Sequence, residues 1–323
     1  MSDPCDRDLK IGLILPTWTG SLDGRTPRWT DIVGLARLAE DVGFDSLWLP
    51  DMLRYRFGEG IDPLACWETW SLVAGLATST HRLEIGTLVL VGAYRSPALL
   101  AEMAETVDEI SGGRLILGIG AGVNQDEHEA YGFSWDHRYD RLEETLTIIH
   151  GLFRDGHVDF EGRYVSARDC ELGLRGPRSP GPPILLGGKG PRIQRLAARF
   201  AGLWNVGFFG DPSDLDTVAG LRCEVDDACA EVGRAASSLE RTAALMVHLG
   251  GPPAMVGPYD WSAGALRGSV AELASSLRAF AAVGISHLQV GLVPSTRASI
   301  ESFARVLELL DRDAGTGMPQ PSS

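Results

Sequence analysis

The run Gly187-Gly188-Lys189-Gly190-Pro191 has the residue types an anion site needs. It follows the short apolar stretch Ile184 to Leu186 and precedes a helical pattern from about Arg192 to Phe200. Backbone N–H groups left open by glycine, together with a helix N-terminus, would cradle a phosphate there. Lys189 adds a positive charge, and Lys10 is the only other lysine in the chain. A plain tight turn is the alternative reading.

A second stretch, Ser111 to Asn124, reads Ser-Gly-Gly-Arg-Leu-Ile-Leu-Gly-Ile-Gly-Ala-Gly-Val-Asn. Gly112 and Gly113 turn a preceding helix into an apolar strand. Gly118 suits strand packing, whereas Gly120, Gly122 and Asn124 fall where the chain leaves the strand. Missing side chains at that point leave bare backbone for another group to approach.

Other strand ends extend the set of candidates. Asp51 and His248 are the ionisable groups placed to act as acid or base, a lone His being as well explained as a satisfied core residue. Thr87, Leu88 and Val89 end a third strand, and Tyr139 opens a later helix. Trp18, Trp67, Asn205 and Phe208 are expected to wall a substrate pocket. There is no pair of acids at catalytic spacing, no Ser-His-Asp arrangement and no H-E-x-x-H. Glu127-His128-Glu129 matches no metal-site spacing and reads as a solvated loop. A mouth rich in glycine and aromatics, poor in acids and bases, suits a bound cofactor that does the difficult chemistry.

Eight apolar strand patterns, each followed by a helical one, must position these residues. The strands fall at about 10–15, 45–49, 82–91, 114–119, 184–186, 203–206, 242–249 and 285–292. The helices fall at about 30–42, 63–80, 96–110, 142–153, 192–200, 213–232, 269–280 and 300–310. Strict alternation demands a parallel sheet. Eight units predict a closed (β/α)8 TIM barrel with its site at the strand C-termini, ahead of an open doubly wound sheet. One domain is expected over 1–323: a core of about 10–312, an irregular insertion at 155–181 with a short hairpin, and a tail at 313–323. Residues 125–137 read as a polar and aromatic loop.

The net charge of -14 argues against nucleic acid or an anionic membrane as partner. Five cysteines with no C-x-x-C pair argue against a disulfide framework or zinc, and for a reducing cytoplasm. The polar start, Met1 to Asp8, does not read as a signal peptide, and no apolar run is long enough to span a bilayer.

Several segments together resemble the bacterial luciferase-like flavin-dependent oxidoreductases. They are Phe44-Asp-Ser-Leu-Trp48, Leu83-Glu-Ile-Gly-Thr87, the 111–122 run, Arg138-Tyr-Asp-Arg-Leu-Glu-Glu144, Pro183-Ile-Leu-Leu-Gly-Gly-Lys-Gly-Pro-Arg192 and Ala197-Ala-Arg-Phe-Ala-Gly-Leu-Trp-Asn205. The resemblance implies FMN or the deazaflavin coenzyme F420, and hydride transfer or oxygen insertion on a small organic substrate. It implies a homodimer and, for the FMN monooxygenases, reduced flavin from a separate reductase. It also implies a non-proline cis peptide at Leu88-Val89 behind the flavin ring. Gly120, Asn124 and Tyr139 match contact positions, with Lys189 and Gly190 at the phosphate. The deazaflavin sugar and alcohol dehydrogenases place a His and a Glu where this chain has Met52 and Val123, and neither of these moves a proton. A monooxygenase is therefore expected, with an F420-dependent reductase or dehydrogenase lacking oxygen insertion, or a non-catalytic flavin-binding barrel, as alternatives. An aldolase or hydrolase would need a Schiff-base lysine or a metal constellation.

Overall fold

The computed structural model describes residues 7, 9–56, 62–207, 214–251, 255–256, 259–260 and 262–314. Eight parallel strands form its centre: β1 (Lys10–Ile14), β2 (Ser46–Leu49), β3 (Glu84–Thr87), β4 (Leu115–Gly120), β5 (Ile184–Gly187), β6 (Leu203–Gly207), β7 (Glu240–His248) and β8 (His287–Val293). They are hydrogen-bonded in the order β5-β6-β7-β8-β1-β2-β3-β4, and β4 also pairs with β5, which closes the barrel. Lys10 stands opposite His287 and Ile184 opposite Leu117 across two of its seams.

The helices between them are α1 (Trp29–Asp41), α2 (Thr69–Ser79), α3 (Pro97–Ser111), α4 (Arg138–Asp155), α5 (Pro191–Phe200), α6 (Leu215–Glu231), α7 (Val270–Ala282) and α8 (Arg297–Ala314). Local signals fix their ends. Pro97 opens α3, and Gly112, at φ 69°, ends it in the left-handed conformation that only glycine adopts cheaply. Ser269 and Glu272 form a reciprocal capping box on α7.

Apolar faces of these helices pack on the outside of the barrel, around fully buried Ile11, Leu47, Ile85 and Leu117. A smaller cluster fills the inside: Ile14, Trp48, Ile116, Leu185 and Leu203, with Leu88 and Val89 against it. Trp48 explains two glycines, because a β-carbon on Gly12 or Gly86 would lie 2.3 Å or 2.2 Å from its ring. Below the rings, Trp48 Nε1 donates to Ser46 Oγ at 2.7 Å, and Ser46 Oγ lies 2.7 Å from His287 Nε2.

Four sequence expectations change. The third strand is interrupted: β3 stops at Thr87, and Leu90–Val91 rejoins the sheet against β4. Between them the Leu88–Val89 peptide is cis, where the resemblance placed it. Helix α2 starts at Thr69 rather than near 63, because Glu68 caps it by accepting from the N–H groups of Trp70 and Ser71. Residues 54–55 and 64–65 instead pair as a small antiparallel hairpin. The segment read as a loop holds a helix, Gln125–Tyr131, capped by Asn124 and ended by Gly132 at φ 79°. The 155–181 insertion, by contrast, holds the hairpin expected of it, His157–Glu161 antiparallel to Ser166–Glu171.

Candidate functional site

At the strand C-termini the barrel opens into a cavity of about 980 Å³. Its wall includes Leu88 and Val89 and the Gly187–Arg192 turn. That volume lies at the upper end of ordinary small-molecule sites and leaves room for a cofactor beside a substrate.

The bulge after β3 is held from below and above. Thr87 Oγ1 donates to the Gly118 carbonyl at 2.7 Å, and a β-carbon on Gly118 would lie 1.8 Å from the Thr87 carbonyl oxygen. Thr87 is thus fully buried and its hydroxyl is committed to the bulge's base rather than to the cavity. Past the bulge, the Val91 N–H donates to Asp51 Oδ2 at 2.9 Å. Arg95 closes on the same carboxylate, at 2.8 Å to Oδ2 and 3.2 Å to Oδ1. Burial opposes the charge on Arg95, but its bonds to Asp51 and Glu68 outweigh that and hold its pKa above the ordinary value. Asp51 lines the cavity, yet its side chain is fully buried and already accepts three bonds. It fastens the loop that carries the bulge.

The glycines after β4 have protein neighbours. A β-carbon on Gly120 would meet Val89 Cγ2, and one on Gly122, at φ 80°, would meet the His128 ring at 2.6 Å. Both still line the cavity. Asn124 also lines it, while its Oδ1 caps Glu127 and its Nδ2 donates to the Arg54 carbonyl at 3.2 Å.

Glu127 and His128 are not solvated; they are 3% and 0% exposed. Glu127 Oε1 accepts from the Leu53 and Arg54 N–H groups, the second at 2.8 Å, and Oε2 accepts from Tyr94 at 2.8 Å. Burial, reinforced by Glu127, pushes the Tyr94 phenol far above its ordinary pKa. The same two causes push the Cys66 thiol up to about 12. Glu127 therefore ties the Arg54–Tyr55 hairpin to the helix after β4. Only the helix start was present in the sequence: Asn124 with Glu127 three residues on is a helix-start pattern. Among the described residues no group of three or more His, Cys, Asp or Glu could hold a metal ion.

The phosphate candidate has the expected frame. Gly190 precedes α5, with Pro191 in its first turn. Gly188 sits at φ 142°, its N–H donates to the Asn205 carbonyl at 3.0 Å, and its own carbonyl accepts from Trp204 Nε1 at 2.8 Å. Gly187, Gly188, Lys189 and Gly190 all line the cavity, and Lys189 is exposed with no ion-pair partner among the described residues. Arg192, which sequence reading passed over, lines it too but is bound to Asp140 and Glu143.

The remaining candidates divide. Trp18, Tyr139 and Asn205 line the cavity, Asn205 with both amide protons given to Thr242 Oγ1 and Gln289 Oε1, at 2.8 Å and 2.7 Å. Trp67 does not: it is 42% exposed and donates to the Pro27 carbonyl at 2.8 Å. His248 is buried but is not part of the cavity wall, and its Nδ1 accepts from Arg267 at 2.9 Å and from the Gly250 N–H at 3.2 Å. Phe208 lies outside the described residues. Met52 and Val123 both line the cavity, and Val123 is 92% exposed. No helix among the described residues is long and apolar enough to cross a membrane.

Residues 9–256 match the family model described as luciferase-like monooxygenase. An F420-dependent glucose-6-phosphate dehydrogenase of Amycolatopsis mediterranei is 34% identical over 196 residues, 59% of this chain and 55% of that protein. A 5,10-methylenetetrahydromethanopterin reductase of Archaeoglobus fulgidus is 34% identical over 163 residues, 50% of this chain and 44% of that protein. The chain thus spans about half the length of these curated relatives. Among solved structures, an F420-dependent secondary alcohol dehydrogenase in complex with an F420-acetone adduct superposes with a TM-score of 0.77 at 19% identity, over 94% of this chain and 99% of that one. Monooxygenase RslO1 from Streptomyces bottropensis gives 0.75 at 20% identity, over 94% and 98%. At those identities the likeness is one of fold.

Proposed function

Because the chain belongs to the luciferase-like monooxygenase family, we propose that it is an oxidoreductase that binds FMN or coenzyme F420 in this cavity and acts there on a small organic substrate. The observation that carries the reading is the placement of an apolar bulge, Leu88–Val89, and a glycine-lysine turn at a helix start, Gly187–Gly190, on the wall of one cavity. The residues fit such a group at both ends. Leu88 and Val89 would support a flat ring system. The backbone amides of Lys189 and Gly190 at the start of α5, with the Lys189 side chain, would hold its phosphate. When bound, the cofactor supplies the redox chemistry that side chains cannot.

The chain's own groups then bind, orient and exclude water. Asp51 and Arg95 keep the bulge in place, and Glu127 keeps the Arg54–Tyr55 hairpin against the mouth. Proton transfer by the groups after β2 and β4 is limited, because Asp51 and Glu127 each already accept three hydrogen bonds and Met52 and Val123 carry no proton. That supports oxygen insertion with reduced cofactor over oxidation of an alcohol, and a separate reductase would supply reduced FMN. Hydride transfer from F420 without oxygen is the second reading, favoured by the names of the two curated relatives. A homodimer and a cytoplasmic setting belong to the same proposal.

Titration of the purified protein with FMN and with F420, each oxidised and reduced, followed by cofactor fluorescence, tests this. Binding of one identifies the cofactor, and binding of neither in either redox state overturns the reading. Oxygen uptake by the reduced complex then separates oxygenase from reductase.

A further inference from the structure

Among the described residues, five charged side chains line the cavity: Asp23, Asp51, Glu127, Lys189 and Arg192. Three are committed to protein partners, Asp51 to Arg95, Glu127 to Tyr94 and two backbone amides, and Arg192 to Asp140 and Glu143. Asp23 and Lys189 have neither hydrogen-bond nor ion-pair partners among the described residues. Lys189 stands in the glycine turn before α5. Asp23 belongs to the loop after β1 and marks a second charged point on the wall.

That loop is held in shape. Ser21 donates to the Trp18 carbonyl through its N–H at 3.1 Å and its hydroxyl at 2.6 Å. Leu22 and Arg25 exchange backbone bonds at 3.0 Å and 2.9 Å, and Asp23 lies between them at φ 49°. Trp18, Tyr55, Leu64 and Met255 line the same cavity and give it aromatic and apolar wall. Aromatic side chains and a partnerless carboxylate in one cavity favour a cation, by cation–π attraction and by ion pairing. The chain's net charge of -14 favours the approach of cations in general.

We propose that the substrate is an organic molecule with an apolar body and one basic nitrogen, positively charged at neutral pH and bound by Asp23. The inference rests on the cofactor reading above, in which Lys189 holds a phosphate and leaves Asp23 to the substrate. Aspartate at positive φ also suits a tight turn, but asparagine serves that turn equally well. The exchange Asp23→Asn therefore removes the charge and keeps the loop.

The test uses the full chain, first titrated with FMN and F420 and then loaded with whichever binds. Two fluorescent probes of the same ring system follow at low salt: 9-aminoacridine, a cation at neutral pH, and acridine at slightly alkaline pH, where it is uncharged. The wild type should prefer 9-aminoacridine. Asp23→Asn should weaken it by roughly threefold to tenfold, with acridine and cofactor affinity unchanged. Asp23→Ser should repeat the result. Equal effects on both probes, no effect on either, or a wild-type preference for acridine overturns the proposal. If neither cofactor binds, the probes are measured on the bare protein. An Asp23-dependent cation preference there upholds this inference while the cofactor reading fails, and its absence overturns both.

Discussion

Val89 Cγ2 stands 2.8 Å from where a β-carbon on Gly120 would be, and its Cγ1 lies 3.2 Å from the corresponding point on Gly187. The ends of β4 and β5 thus close on one side chain of the bulge, and glycine at 120 makes room for it. Gly120→Ala should force Val89 or its backbone to shift. Overpacking of this kind costs about 1–3 kcal/mol. We expect a lower melting temperature together with at least a tenfold loss of cofactor affinity. Unchanged melting and affinity would disconnect the bulge from the site.

Asp51 and Arg95 form a pair whose side chains are 0% and 11% exposed. Removing Arg95 strands the Asp51 carboxylate away from water, and removing Asp51 takes two of three bonds from Arg95, which keeps Glu68, and leaves the Val91 N–H without its acceptor. Asp51→Ala is expected to cost about 3 kcal/mol in urea unfolding. Arg95→Met should cost a comparable amount, and the double variant less than the sum. A catalytic role for Asp51 alone would instead leave stability unchanged while abolishing turnover.

The barrel was legible because each strand is a short apolar run and each helix an apolar stripe, and that alternation permits few topologies. The glycine-lysine turn was legible for a similar reason, since its signal is local. Trp67 and His248 were misplaced because sequence pattern puts a residue near a strand end without saying which way its side chain turns. Trp67 points to the Pro27 carbonyl and His248 to Arg267. Glu127 looked solvated because it sits among polar neighbours. Its burial comes from contacts 73, 74 and 33 positions away, with Arg54, Leu53 and Tyr94, which no local pattern contains.

Lys189 is exposed on the cavity wall, next to the open amides of the turn before α5. Its charge should act on a phosphate and not on a ring. Lys189→Ala is expected to weaken FMN by roughly fivefold, about 1 kcal/mol, and to leave riboflavin, which lacks the phosphate, unaffected. Equal losses for both, measured by fluorescence titration, would move the phosphate elsewhere.

His287 is fully buried beneath the cavity, and burial, with a smaller contribution from Lys10, lowers its pKa from 6.5 to about 3. Trp48 donates to Ser46 Oγ, which shares a hydrogen bond with His287 Nε2, and the ring's Nδ1 has no partner among the described residues. Between pH 6.5 and about 3 the unfolded chain therefore binds a proton at this residue that the folded chain does not. Folding stability must fall with falling pH across that window, at up to about 1.4 kcal/mol per pH unit from this group. His287→Gln keeps a hydrogen-bonding partner for Ser46 and removes the titration. Its unfolding free energy, measured by urea between pH 4 and 7, should fall less steeply than that of the wild type. Other ionisable groups act alike in both proteins, so the difference in slope belongs to His287. Parallel curves would show that the ring takes up its proton in the folded barrel.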